Sequence, residues 1–124
     1  MHTIPSILPP PPIPMLPSVL WRGANGRQYA FALRPIRGSL PASPGVYIFC
    51  KPALNGKWDA VYIGETENLE RRLSRELLQH HRWPAIYAAR ATHVCTLYVP
   101  GPLAARIAIE TDLRRFIQTP CNLQ

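Results

Sequence analysis

Apolar positions fall into alternating and periodic runs punctuated by proline and glycine. VLWRGANGRQYAFALR (19–34) holds two short apolar runs about Asn25-Gly26, a strong two-residue hairpin signal, and predicts a β-hairpin attached to a main sheet. GVYIFC (45–50) and DAVYIG (59–64) are rich in β-branched and aromatic residues. They flank a second turn signal, Asn55-Gly56, and are expected to pair antiparallel. That pairing puts Tyr47 and Tyr62 on one sheet face, opposite or diagonal to each other.

After Gly64, Leu69, Leu73 and Leu77 recur at i, i+4 and i+8 and predict a helix on the sheet, N-capped by Asn68. Arg72 borders that stripe and can reach the sheet, whereas Arg71 and Arg75 project toward solvent. THVCTLYV (92–99) reads as a third strand of the main sheet. Pro102 suits a first helical position, and the helix that follows is expected to bury Leu103, Ile107, Leu113 and Ile117. Glu110 lies on that same face. A carboxylate there needs a cation, either in a structural salt bridge or in a functional site. Pro120 stops the helix, and Asn122 can fold its amide back toward the site.

Seven of the fifteen prolines fall in residues 1–18, where they remove amide donors and exclude helix and sheet. This arm is a surface spacer or a docking ligand for a proline-recognising partner. The chain thus divides into an arm (1–17), a hairpin with linker (18–43) and a main domain (44–124), one core's worth of sequence in all.

The net charge of +7 is uneven, because residues 1–43 carry four arginines and no acid. A basic surplus favours a polyanion, since Lys and Arg that neutralise phosphates release condensed counterions. No apolar run approaches the roughly 20 residues of a membrane span, and the N-terminus lacks the pattern of a secretory signal, so a soluble domain is expected. Cys50, Cys95 and Cys121 form no CxxC pair, and the histidines show no ligand spacing with them, which argues against disulfides and zinc and for a reducing cytoplasm.

GVY at 45–47, VYIG at 61–64, an arginine eight residues past the motif glycine, a later helical glutamate, then a proline and an asparagine resemble the GIY-YIG nuclease family. The likeness spans roughly 44–124 and implies an α+β fold, a small, mainly antiparallel three-stranded sheet flanked by helices, here with the added N-terminal hairpin. It also implies a metal-dependent endonuclease hydrolysing DNA phosphodiesters, in repair, restriction or a mobile element. By resemblance, Glu110 binds Mg²⁺ (or Mn²⁺) and Arg72 stabilises phosphate charge, with Tyr47 as general base and Tyr62 orienting water or phosphate, or those two roles exchanged. Gly64 and Asn122 support the site, the latter by holding Glu110 or the substrate backbone. Arg71, Arg75, His80 and His81 are candidate DNA contacts, with the two histidines expected at the surface of the helix end.

Two positions depart from the family pattern. Glu76 stands where many members place a histidine, four residues after the arginine, and Glu65 follows the motif glycine where some carry lysine. Both add negative charge near the site. A noncatalytic nucleic-acid-binding relative and an adaptor working through the proline-rich arm are the alternative readings. The N-terminal hairpin with Arg22 and Arg27, a homodimer, or a partner protein bound through the arm would supply target selectivity.

Overall fold

The computed structural model describes residues 16–122, so nearly all of the proline-rich arm lies outside the described residues. Five strands run in chain order: β1 (Ser18–Arg22), β2 (Gln28–Pro35), β3 (Gly45–Pro52), β4 (Trp58–Thr66) and β5 (His93–Tyr98). They form one antiparallel sheet in the order β1-β2-β5-β3-β4. The expected three-stranded sheet with its attached hairpin is therefore one continuous five-stranded sheet. Without β2, strand β5 would present a free row of backbone donors and acceptors, and the Ala32↔Thr96 to Pro35↔His93 pairing closes that edge.

Strands β3 and β4 are joined by a tight turn in which Asn55 and Gly56 both take positive φ, 63° and 70°, the conformation that suits an Asn-Gly pair between twisted strands. In the register, Tyr47 faces Gly64 and Phe49 faces Tyr62, so the two tyrosines are diagonal on one face. The register slips after Phe49, leaving Val61 as the extra residue; such bulges re-aim side chains beside functional sites.

β3 is buried on both sides. Val46, Ile48 and Cys50 join Trp21, Phe31, Ile63 and Leu113 in one cluster, while Tyr47 and Phe49 join Leu69, Leu73, Leu77 and Ile86 in the other. The leucine stripe is thus buried, yet the regular helix expected from Asn68 onward is absent. Asn68 Oδ1 accepts from the Arg71 amide at 2.9 Å and starts a helical turn that widens over Arg71–Arg75, with Glu76 N–H bonded to the Arg71 carbonyl at 2.8 Å. A tighter turn, Leu77–Gln79, then ends the helical path and leads into the short helix α1 (Trp83–Ala88).

The second helix, α2 (Leu103–Phe116), is rotated from the expected orientation. Leu113 is fully buried and Ile117 packs on the core, but Leu103 and Ile107 are 50% and 44% exposed. The inward stripe is Ala105, Ile109, Leu113 and Ile117, flanked by the buried Arg106. An ion pair of Arg106 with Glu65, at 2.7 Å, explains the rotation: a charge taken into the interior holds its helix face against its partner strand.

Candidate active site

β4 is an edge strand of the sheet, beside β3. Tyr47 and Tyr62 lie with ring centroids 6.1 Å apart and tilted 30°. Gly64 makes that approach possible: a Cβ there would fall 2.5 Å from the Tyr47 hydroxyl and 2.9 Å from the Tyr62 ring. Tyr47 is almost wholly enclosed, at 1% exposure, and Tyr62 reaches the surface slightly more, at 9%.

Burial, then the neighbouring Tyr62, push the Tyr47 phenol well above its ordinary range, and Arg72 opposes them. Burial and then Glu110 push Tyr62 up, while Arg72, Arg114 and Arg82 oppose. Arg72 and Glu110 thus act electrostatically on both phenols. Among the described residues, the one ion pair of Glu110 is a long 3.9 Å contact with Arg114. Its carboxyl is raised from the usual range by burial and by the charge of Glu65, with Arg114 opposing.

His80 corrects the sequence reading. It is buried at 1% exposure, not set at the surface of a helix end. Its Nε2 lies 2.7 Å from the Tyr47 hydroxyl, and its ring meets Phe49 and Tyr62 edge-on. The tight turn after Leu77 swings it inward, where a continuing helix would have carried it past the sheet. His81 stacks on it, the rings 5.1 Å apart, and stays exposed with Nδ1 3.1 Å from Arg72 Nη2. Burial and the nearby Arg72 and His81 pull the His80 imidazole down to about 4, so it is neutral at neutral pH.

Asn122 folds its amide back onto Ile63 of β4. Its Oδ1 accepts from the Ile63 amide at 2.7 Å and its Nδ2 donates to the Ile63 carbonyl at 2.9 Å, so the side chain clamps the chain end to β4 and does not hold Glu110. Arg71 and Arg75 are engaged by Glu67 and Glu70 at 2.7 and 2.9 Å. An open groove of about 460 Å³ is lined by Glu65, Arg71, Arg72, Glu76 and Arg106, and neither phenol is among its lining residues. Arg106, Arg82 and Arg114 were not singled out in sequence; a helix arginine in line with Ile109 and Leu113 was the signal for the first.

Solved structures resemble this fold. Three are of the GIY-YIG N-terminal endonuclease domain of UvrC from Thermotoga maritima, each a point mutant bound to its catalytic divalent cation. They match at 29%, 28% and 28% identity with TM-scores of 0.52, 0.53 and 0.52, each over 68% of this chain and 87% of its own. The fold is that of a GIY-YIG nuclease domain. No protein-family model and no curated protein matches the chain.

On the GIY-YIG frame, the two departures have different surroundings. Glu65 is neutralised by Arg106, whereas Glu76 is exposed at the groove. Among the described residues, no three His, Cys, Asp or Glu side chains cluster as a ready-made metal cage.

Proposed function

We propose that the chain is a metal-dependent endonuclease hydrolysing DNA phosphodiester bonds. What supports this reading is the nuclease-domain fold together with the closely set Tyr47 and Tyr62 rings, whose ionisation Arg72 and Glu110 both influence.

A divalent cation suits the donor set. Glu110 is a partly enclosed carboxylate whose ion pair with Arg114 is long, and a nearby cation would offset both its burial and the repulsion from Glu65. Mg²⁺ keeps several waters, so one protein carboxylate can hold it, and Mn²⁺ has the same preference for oxygen. Bound there, the ion supplies charge for the phosphate and the leaving oxygen.

This chain's own groups do the rest. Arg72 offers a permanent forked charge to the nonbridging oxygens. Tyr47, once ionised, accepts the proton of the attacking water, and Arg72 favours that ionisation against burial. Tyr62 orients the water or phosphate from the more open side, and Asn122 holds the strand that carries both Tyr62 and Gly64.

The test is cleavage of labelled single-stranded, duplex, nicked, flapped and branched DNA with Mg²⁺, Mn²⁺ or EDTA. Cutting that needs metal and is lost in Glu110→Ala and Tyr47→Phe is the expected result. Binding of DNA without cutting under every condition would replace this reading with a noncatalytic one.

A further inference from the structure

We infer that His80 is a positioning residue for Tyr47, a neutral imidazole protonated on Nε2 that donates to the Tyr47 hydroxyl oxygen and leaves the Tyr47 proton directed away from it. The role in catalysis rests on the nuclease reading above; the hydrogen-bond direction does not.

Two contacts determine the tautomer. The backbone N–H of Arg82 points at His80 Nδ1 over 3.0 Å, and an amide nitrogen can only donate, so Nδ1 must present its lone pair. A neutral ring then carries its single proton on Nε2, the atom 2.7 Å from the Tyr47 hydroxyl. Tyr47 is therefore the acceptor in that bond. A doubly protonated ring would set two donors against each other at Nδ1, in a buried place with Arg72 and His81 nearby.

The Tyr47 O–H is left free to turn from Nε2. Space beside that oxygen is kept on the Gly64 side, where a Cβ would stand 2.5 Å away. A donor to the phenol oxygen stabilises phenolate over phenol, so His80 favours ionisation of Tyr47 without taking a proton itself. This is a different task from proton acceptance by a histidine four residues after the arginine, where this chain has Glu76. It is done here by a residue from the far side of the turn over Leu77–Gln79.

The experiment has two arms on the full chain. Long-range ¹H–¹⁵N correlation of labelled histidine, without metal, should show His80 as the Nε2–H tautomer with a bare Nδ1. The Nε2 proton should shift and exchange faster in Tyr47→Phe, which lacks the acceptor. An Nδ1–H tautomer, or an Nε2–H signal indifferent to Tyr47→Phe, overturns the inference, whether or not the protein cuts DNA. In the second arm, cleavage kinetics compare His80→Gln, whose amide nitrogen reaches about the place of Nε2, with His80→Leu, which has similar bulk and no donor. The expectation is a kcat drop of roughly 10–100-fold for His80→Leu with KM little changed, largely restored in His80→Gln. Equal loss in both variants would make His80 a proton acceptor, and no loss in either a packing residue; both outcomes overturn the inference. A wild-type protein that cuts nothing sinks the nuclease reading and the catalytic role with it, and the first arm still decides the bond. If His80→Leu does not fold, the tautomer and the Tyr47→Phe response decide alone.

Discussion

Arg106 Nε donates to Glu65 Oε2 over 2.7 Å, tying α2 to the residue that follows the motif glycine on β4. The pair is mostly enclosed, with side-chain exposures of 9% and 24%. Breaking a buried pair by removing one partner strands the other charge. Glu65→Lys, the family-like substitution, should therefore lower the unfolding free energy by roughly 2–4 kcal/mol. Glu76→Lys at the exposed groove wall should change it by less than about 0.5 kcal/mol while tightening DNA binding. Urea unfolding and a salt titration of binding check both; a Glu65→Lys protein as stable as wild type would remove the structural role of the pair.

Gly64 is required by the phenols, not by its own backbone. Gly64→Ala drives a methyl into Tyr47 and Tyr62, and overpacking of this kind costs about 1–3 kcal/mol. Expected results are a lowered Tm and a loss of cleavage beyond what the stability change explains, measured well below the transition. Full activity in a stable Gly64→Ala protein would show that the two rings need not approach as closely as they do.

The rotated face of α2 separates two substitutions that the sequence pattern treats alike. Leu113→Ala should cost roughly 2–5 kcal/mol because Leu113 is completely buried. Ile107→Ala, at 44% exposure, should cost under about 1 kcal/mol. Chemical denaturation of the pair tests this, and comparable losses would restore the unrotated helix.

Acid should weaken the fold partly through His80. Its imidazole is held down to about 4, from an ordinary 6.5, first by burial. Between those values the unfolded chain binds a proton that the folded chain refuses, so stability falls as pH drops from 6.5 toward 4. The raised Glu110 carboxyl contributes with the opposite sign, but it is present in wild type and His80→Gln alike. The stability advantage of wild type over His80→Gln should accordingly shrink by up to ~3 kcal/mol across that window. A pH-independent difference would mean that His80 titrates normally in the fold.

By itself the sequence determined what depends on near neighbours along the chain. The β-branched and aromatic runs GVYIFC and DAVYIG and the Asn55-Gly56 turn marked two antiparallel strands with Tyr47 and Tyr62 on one face, opposite or diagonal, and the assembled register makes them diagonal. Motif order and spacing from Gly64 also single out Arg72 and Glu110 as candidates. Tertiary structure decided whatever needed a distant partner. A helical period says which residues share a face but not which face turns inward, and Glu65, 41 residues away, drew in Arg106 and left Leu103 and Ile107 outside. The burial of His80 followed from a helix that widens and stops at Leu77–Gln79 and from an aromatic pocket built by β3 and β4, 33 residues before it in the case of Tyr47. The hairpin's attachment was legible in the chain, but that β2 makes it along the edge of β5 is a pairing between distant segments that exists only once the strands have assembled.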